Sequence, residues 1–544
     1  MTPHTNSRAV RFSRSPRIIF PGEGQSQTRE AAESFSNLVR AQLTRRAGTQ
    51  FASHRALRVL KFGGTSMGDP AAITSVCGIV RDSALQGDVV VVVSAMSGVT
   101  NQLLEAAALA ERGDHASVSL IFEALRKRHS SAASALVHSP AERERLARLT
   151  QDLFQEGERL CQGTLLLGEL TPRVRDSISS LGERLAAPLL SAVLSNSGTP
   201  SEAWNASKLI VTNSNHGAAD PWMELTAERC ESSLRPLLER GIIPVVTGFI
   251  GATLDGTLTT LGRGGSDYSA SIIGAALGCD EIIIWTDVDG MLTSDPRVVA
   301  GARPIPEISY REAAELAYFG AKVLHPKTIR AVTQSGIPVW IRNTFAAGQP
   351  GTKITPSGPA RSRGVKAVTA AGDVALITIA GKGIIGVPDV LGRTFAATAR
   401  ENANVLLISH SSSQNEICLV VASHSAQRTV EALRFEFAQD LQLEETEHIS
   451  LDQNVGIITV VGQDMRGVAG IMGRAFGALG RKGINVIAIA QGTSDCNLSF
   501  AVGQGDVTAA LNALHREFRL ATGSRISKSS EPHSAARAKA ASAD

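Results

Sequence analysis

Four short runs of Val, Ile and Leu, each followed by glycine or small polar residues, constrain the fold of this chain more than any other feature. They cover residues 59–62, 89–93, 242–246 and 281–285. Runs without polar alternation are typical of strands that are covered on both faces. Because helical patterns separate the four runs, the sequence predicts an α/β fold, an αβα sandwich with a mostly parallel central sheet.

The composition excludes several classes of protein. With 544 residues, of which 43% are apolar, the chain can fill several cores, which excludes wholesale disorder. No run approaches the roughly 18 apolar residues of a membrane span. A net charge of +3 gives no reason to expect a nucleic-acid or membrane partner. The six cysteines are scattered without a CxxC pair, which indicates reduced thiols in an intracellular protein.

The two ends of the chain differ from the rest. Residues 1–56 carry nine arginines against three acids and show no sustained apolar periodicity. They are read as a disordered leader, an over-extended translation start or an organelle transit segment, although the acids Glu23, Glu30 and Glu33 weaken the last reading. Residues 522–544 contain a single large apolar side chain, Ile526, and predict a solvated tail. We therefore expect a cytoplasmic protein, or a plastid protein if the leader is a transit segment.

The last third of the chain contains an internal repeat. The segment that begins at Gly386 aligns with the one that begins at Gly467, at a constant offset of 81 residues. Each copy reads as strand, loop, helix, strand, strand and a further helix, which predicts two small βαβ-type units at about 365–450 and 451–521. The other matching positions are Gly392/Gly473, Arg393/Arg474, Phe395/Phe476 and Asn404/Asn485.

Two glycine-rich turns at predicted strand ends are candidate anion sites. Lys61 precedes a Gly-Gly-Thr-Ser turn, and Arg263 opens a Gly-Gly-Ser-Asp turn that leads into an Ala/Ser-rich helix. Glycine lets backbone N–H groups approach an anion closely, and Arg grips a carboxylate in a bidentate way. A plain tight turn and a surface Arg loop are the alternative readings.

Two further segments complete the candidate site. Thr286 and Asp287 follow the fourth strand, where a nucleotide can bind at the carboxyl edge of a sheet, although an ordinary Asp/Gly turn cluster is the alternative. Farther on, Ser309 and Glu312 have capping-box spacing and start a helix. Its apolar stripe includes Phe319 and Val323, so the helix is predicted to run to His325 and to contain Lys322 beside small residues.

These residues match the requirements of phosphoryl transfer. Neither glycine turn has Walker A spacing, and no GxGxxG follows the first strand. The motifs contain no Cys/His cluster and no Ser-His-Asp arrangement. Two lysines, one arginine and several glycine turns at strand ends remain, and phosphoryl transfer consists largely of positioning and charge neutralisation.

Taken in order, the motifs are those of one family. LKFGGTS, VVSAMSGVTN, LGER, TLGRGGSDYSA, WTDVDGMLTSDPR and FGAKVLHP, followed by the two repeats, cover about residues 57–520. The chain resembles aspartate kinase, and most of all the kinase portion of the aspartokinase–homoserine dehydrogenases. The resemblance implies an amino-acid-kinase domain at 57–362 and two ACT-type βαββαβ units. Since a polar tail follows them, we expect a monofunctional kinase.

The resemblance also implies an activity, the ATP-dependent phosphorylation of L-aspartate to 4-phospho-L-aspartate, the first step toward lysine, threonine and methionine. It implies that Asp267 orients Lys61 and Lys322. The residues expected to meet ATP are Lys61, Gly63, Gly64, Thr286, Asp287, Asp295, Arg297 and Lys322. Those expected to hold aspartate are Thr100, Glu183, Arg263 and Ser266, with Arg263 on a carboxylate and Glu183 on the ammonium. Mg²⁺ is expected to bridge the β- and γ-phosphates without a dedicated protein cage.

The ACT pair implies feedback regulation and a homodimer or larger homo-oligomer. The expected effector residues are Asn404, His410, Asn485 and Gln491. Threonine-responsive relatives place glutamine in both repeats, whereas this chain has His410 in the first. Threonine and lysine therefore both stay open as effectors.

Two other functions remain as alternatives. The first is another kinase of the same fold, acting on glutamate, N-acetylglutamate, carbamate or UMP, which the ACT pair and the GRGGSDYSA and LGER motifs disfavour. The second is a catalytically silent amino-acid sensor, which the intact Lys61, Glu183, Arg263, Asp267 and Lys322 disfavour.

Overall fold

A computed structural model describes residues 55–320, 323–359, 364–381, 387–411, 416–443, 446, 448–491 and 496–521. Most of the predicted leader, the predicted tail and Lys322 lie outside these residues. Among the described residues, no helix combines the length and the hydropathy that a membrane span requires.

The first part of the chain is built on a twisted sheet of eight strands. Their order is β3-β4-β2-β1-β7-β9-β10-β8, and β10 is antiparallel to β9 while the first six strands are parallel. β5 and β6 form a separate hairpin. The ten strands are β1 Leu57–Phe62, β2 Asp88–Val93, β3 Ser201–Trp204, β4 Ile243–Thr247, β5 Ile250–Ala252, β6 Leu258–Thr260, β7 Glu281–Thr286, β8 Glu307–Ser309, β9 Val339–Asn343 and β10 Thr352–Thr355.

Helices cover both faces of this sheet. The alternation of side chains along a strand sends Leu60 and Phe62 into the core beneath α1–α6, while Val59 is buried on the opposite face, where α7 and α8 pack. The αβα sandwich is therefore confirmed. The helices are α1 Pro70–Ala84, α2 Val99–Glu111, α3 His115–Leu136, α4 Pro140–Leu167, α5 Pro172–Ser179, α6 Leu181–Asn196, α7 Met223–Glu239, α8 Gly265–Leu277, α9 Tyr310–Tyr318 and α10 Pro326–Thr333.

Helix α9 begins as predicted and ends earlier than predicted. The capping box is present, because the Ser309 hydroxyl accepts from the Glu312 N–H and the Glu312 carboxylate accepts from the Ser309 N–H. Gly320 has φ +124°, and a Cβ on it would lie 2.3 Å from the carbonyl oxygen of Ala370. The chain therefore leaves the helix at this close approach.

The predicted helical course through Phe319 and Val323 was accordingly wrong. Phe319 is the C-cap of α9, and Val323 lies in a turn. The helix that was predicted to carry Lys322 ends at Tyr318.

The second part of the chain is a six-stranded antiparallel sheet, in the order β12-β13-β11-β14-β16-β15. Two long strands run through both halves of it. Residues 374–380 of β11 pair with β13 and with the first half of β14, whereas residues 364–371 pair with the second half of β14, which also pairs with β16. The elements are β11 Gly364–Ala380, α11 Val387–Arg400, β12 Val405–Ser411, β13 Glu416–Ala422, α12 Ser423–Glu436, α13 Ala438–Gln442, β14 His448–Gln463, α14 Ile471–Gly480, β15 Val486–Ala490, β16 Asn497–Gly503 and α15 Val507–Glu517.

An arginine cluster joins the three helices of the first half, α11, α12 and α13. Arg393 on α11 donates to the Asp440 carboxylate at 2.8 and 3.1 Å, to Glu436 Oε1 at 3.2 Å and to the Glu436 carbonyl at 2.7 Å. Its guanidinium also lies 4.4 Å from the centre of the Phe437 ring. Bonds to charged partners are the strong ones among hydrogen bonds, so this cluster holds α11 against α12.

The same cluster recurs 81 positions later in the second half. Arg474 donates to Glu517 Oε1 at 3.0 Å and to the Glu517 carbonyl at 2.6 Å, and it lies 4.8 Å from the Phe518 ring. The position that corresponds to Asp440 is Ala521, so the second copy lacks one acid. Half of the Arg474 side chain is exposed, against 27% for Arg393.

We predict that Arg393→Ala lowers the free energy of unfolding by about 1–3 kcal/mol, while Arg474→Ala costs less than about 1 kcal/mol. Hydrogen bonding to Arg393 lowers the pKa of Asp440. The stabilisation is therefore present above the ordinary Asp pKa and is lost as the pH falls through the lowered one. Chemical denaturation at pH 7 and at pH 3 measures both effects. Arg400→Ala, with a single more exposed bond, is the control; equal losses for all three variants would contradict the prediction.

Candidate active site

The carboxyl ends of β1, β2, β4 and β7 open into one cavity of about 1120 Å³. Parallel strands bring the segments that follow them to the same edge of the sheet. Ten of the predicted site residues line this cavity: Lys61, Gly63, Gly64, Thr100, Glu183, Arg263, Ser266, Asp267, Thr286 and Asp287.

An ion pair between Lys61 and Asp267 lies at the centre of the cavity wall. Lys61 stands near the end of β1, Asp267 lies in the first turn of α8, and Lys61 Nζ is 2.5 Å from Asp267 Oδ1. Only about a tenth of either side chain is exposed. A Cβ on Gly63 would lie 3.5 Å from Lys61 Nζ, so this turn passes directly beside the ammonium group. The pair therefore fixes a positive charge where the first glycine turn presents its backbone.

The second glycine turn is shaped by close packing. Gly264 has φ +71°, and a Cβ on it would lie 2.4 Å from the Cβ of His325. A Cβ on Gly265, the first residue of α8, would lie 2.6 Å from the ring of Phe249. Larger residues are excluded at both positions, and the resulting turn leaves the Arg263 side chain exposed at the cavity.

Glu183 is a buried carboxyl at the start of α6. Glu183 is 3% exposed, and its Oε2 has no hydrogen-bond partner among the described residues. Burial raises the pKa of Glu183 to about 8, although backbone N–H groups and the charge of Lys61 act in the opposite direction. The raised pKa favours a protonated Glu183 at neutral pH, and a cation beside Oε2 would favour the carboxylate.

Lys322 lies outside the described residues, and the other predicted site residues lie elsewhere. Asp295 and Arg297 form an ion pair of 2.7 Å, and among the described residues they are not part of the cavity lining. The four predicted effector residues have different surroundings. Gln491 lines a second cavity of about 330 Å³ at the start of α14, whereas Asn404 accepts a hydrogen bond from Tyr318. His410 and Asn485 are exposed.

Sequence reasoning missed Asp176, His216 and Phe249, all of which line the main cavity. Asp176 lies seven residues before Glu183, on the preceding helix α5, and that spacing was the available signal. His216 and Phe249 reach the cavity only through the fold, since they lie in turns without a recognised motif. Among the described residues, no group of three or more His, Cys, Asp or Glu side chains is arranged to hold a metal ion.

Comparison with known proteins identifies the family. The amino acid kinase family model matches residues 56–343, and the ACT domain model matches residues 377–437 and 458–518. Aspartokinase 1 of Arabidopsis thaliana, a chloroplastic protein, is 30% identical over 534 residues, which cover 95% of this chain and 92% of that protein. The chain belongs to the aspartokinase branch of the amino acid kinase family. The resemblance inferred from the motifs is thus confirmed, and the two ACT matches are offset by the 81 residues of the internal repeat.

Other relatives of this aspartokinase-family chain are longer or structurally known. The bifunctional aspartokinase/homoserine dehydrogenase 1 of Zea mays is 35% identical over 472 residues, which cover 85% of this chain and 50% of that protein. The chain therefore spans about half the length of such curated relatives. Aspartokinase III of E. coli, in complex with aspartate and ADP in the R-state, is 30% identical with a TM-score of 0.72, covering 85% of this chain and all of that one. Its T-state complex with lysine and aspartate has a TM-score of 0.69, covering 85% and 99%.

We predict that Glu183→Gln raises the melting temperature relative to wild type, and that the difference grows with pH. In the unfolded chain, Glu183 has the ordinary pKa of a glutamate, whereas in the folded protein its pKa is about 8. Stability of the wild type therefore falls as the pH rises from about 4.5 to 8, and the amide variant lacks this loss. Thermal melts at pH 5, 6.5 and 8 measure the effect. A pH-independent difference would show that the pKa of this carboxyl is not raised.

Proposed function

We propose that this chain transfers the γ-phosphoryl group of ATP to the side-chain carboxylate of L-aspartate, giving 4-phospho-L-aspartate, the first step toward lysine, threonine and methionine. The observation that carries the proposal is the Lys61–Asp267 pair between two glycine turns, in a cavity that also contains Arg263 and Glu183. The likeness to E. coli aspartokinase III, whose structure contains aspartate and ADP, supports this substrate pair.

The substrate side of the cavity suits an amino acid with two carboxylates. Arg263 can pair with one carboxylate through two parallel hydrogen bonds. Glu183 supplies the buried acid that an ammonium group would hold in its ionised form. Thr100 and Ser266 add hydroxyl groups to the cavity lining. Binding of the ammonium would therefore release the proton of Glu183, which adds a charge–charge interaction at that moment.

The phosphate side suits a transferring phosphoryl group. Lys61 would neutralise its charge, and the backbone at Gly63 and Gly64 allows close approach. Lys322 is assigned to the nucleotide phosphates. Thr286 and Asp287 at the end of β7 lie where the ribose or phosphates would bind, and Asp295 and Arg297 are assigned to the outer part of ATP. We expect Mg²⁺ to reach the site on the β- and γ-phosphates, with Asp287 as the exposed carboxylate beside it.

The acceptor explains why a catalytic base is unnecessary. A side-chain carboxylate has a pKa near about 4, so it is ionised at neutral pH and attacks without losing a proton. The protein has to bring two anions together, and Lys61 and Arg263 reduce their repulsion. Catalysis would therefore come from positioning and from charge stabilisation in the transition state.

The first test is an assay for acyl phosphate with a panel of acceptors. Purified full-length protein with MgATP should phosphorylate L-aspartate, and should leave glutamate, N-acetylglutamate, carbamate and UMP unchanged.

We predict that Lys61→Ala lowers kcat by about 10²–10³-fold, because it removes charge stabilisation in the transition state. Lys208→Ala, an exposed lysine outside the cavity, is the matched control. A Lys61→Ala enzyme of normal rate would contradict the assignment.

We also propose feedback inhibition by threonine or lysine through the ACT halves. E. coli aspartokinase III forms a T-state complex with lysine and aspartate, which supports this regulation.

Helix α9 provides a physical connection between the ACT halves and the main cavity. Its buried Glu312 forms an ion pair of 2.8 Å with Lys366 on β11, and Asn497 on β16 donates to Glu315. Near its end, Tyr318 donates to Asn404 at 3.3 Å. The segment that follows α9 returns to the main cavity at Val323.

We predict that Tyr318→Phe weakens inhibition by the responsive amino acid about 5-fold or more, with kcat in its absence little changed, because coupling energies of ~1–3 kcal/mol are typical. Asn404→Ala removes the other partner of the same bond. The double variant should therefore show no additional loss. Inhibition curves with threonine and with lysine measure this, and unchanged curves in both single variants would exclude this route.

The oligomeric state and the compartment remain proposals as well. We propose a homodimer or larger homo-oligomer formed through the ACT halves, where β12 and β15 are the outermost strands of the sheet. Ile487 and Ile489 on β15 are each 41% exposed, which is consistent with an interface on this side. A cytoplasmic location is proposed, with a plastid as the alternative.

A further inference from the structure

Asp176 on α5 is a buried carboxylate that no part of the proposed chemistry uses. Its side chain is 3% exposed, and it accepts four hydrogen bonds from two separate segments. The donors are His216 Nδ1 at 2.8 Å, the Gly217 N–H at 3.1 Å, the Thr260 N–H at 3.1 Å and the Thr260 hydroxyl at 2.6 Å. A carboxylate satisfied in this way holds both segments in one geometry.

The two segments adjoin the turn that carries Arg263. Thr260 ends β6 just before that turn, and its carbonyl accepts from the Ala219 N–H at 2.9 Å. Gly262 has φ +79°, and a Cβ on it would lie 2.7 Å from the Gly217 carbonyl oxygen. The backbone before Arg263 therefore rests directly on the loop that Asp176 ties down.

This arrangement belongs to the substrate side of the cavity. Asp176, His216, Gly217, Thr260 and Gly262 all line the same cavity as Arg263. On the other side of the turn, Gly265 begins α8, which carries Ser266 and Asp267. The turn is thus fixed at its far end by a helix and at its near end by Asp176.

We propose that Asp176 is a positioning residue, which sets the backbone from Thr260 to Gly262 and thereby the reach of the Arg263 guanidinium toward the substrate carboxylate. His216 and Thr260 contribute the two side-chain donors of this arrangement from the cavity wall. The proposal rests on the proposed function, because it assigns Arg263 to an aspartate carboxylate. It predicts that Asp176 controls affinity for aspartate and has little influence on ATP.

Asp176→Asn tests this with minimal change of shape. An amide offers one accepting oxygen where the carboxylate offers two, so it cannot accept all four hydrogen bonds. The KM for aspartate should rise about 10-fold or more, while the KM for ATP should stay within about twofold, since a displaced positioning group changes the binding of one substrate. Thr260→Val, which removes the 2.6 Å hydroxyl donor alone, should change the same constant in the same direction. Thr260→Val also tests the proposal if the Asp176→Asn variant does not fold.

A double-mutant cycle with Arg263→Lys separates positioning from general destabilisation. If Asp176 acts through Arg263, Asp176→Asn adds little to the aspartate KM of Arg263→Lys. The control is Thr226→Val, because the buried Thr226 hydroxyl accepts from the Val211 N–H away from the cavity. It should lower the melting temperature and leave both KM values unchanged.

The outcomes are distinguishable. Non-additive effects on the aspartate KM support the positioning role. Fully additive effects, or an equal rise in the KM for ATP, overturn it and leave aspartate kinase activity intact. A wild-type protein that does not phosphorylate aspartate refutes the proposed function and this inference together.

Discussion

The ion pair of Lys61 and Asp267 joins the two glycine turns on which the cavity is built. One partner comes from the first strand of the chain and the other from a helix some 200 residues later, so the pair closes a long loop across the sheet edge. A buried pair of this kind is costly to break, because removal of one partner leaves an uncompensated charge. A bound phosphoryl group would compete with Asp267 for Lys61. In the proposed reaction, the carboxylate would hold the lysine in place until a phosphate binds.

Much of this arrangement was predictable because it depends on local patterns. Continuous apolar strands, the capping box of Ser309 and Glu312, and the 81-residue repeat are short-range or periodic signals, and the structure contains all three. The glycine turns beside Lys61 and Arg263 were recognisable because strand ends in a parallel sheet converge on one edge.

The features that were not predicted depend on contacts between distant segments. Helix α9 ends at Tyr318 because β11 approaches Gly320 at Ala370, and nothing near Gly320 in the sequence indicates that strand. The hydrogen bonds of Asp176 likewise depend on Thr260, which lies 84 residues away. A predicted boundary between residues 450 and 451 falls inside β14, because a strand shared by two halves has no sequence signature of its own.

The sharing of β11 and β14 has a consequence for how the two ACT halves can be separated or exchanged. Each half-sheet is completed by strands that continue into the other, so neither half retains its full set of backbone partners if the other is removed. Exchange of one half for that of a distant relative would leave strands in the middle of the sheet without their backbone hydrogen-bond partners. The two halves therefore form one structural unit, which can be exchanged only as an intact pair.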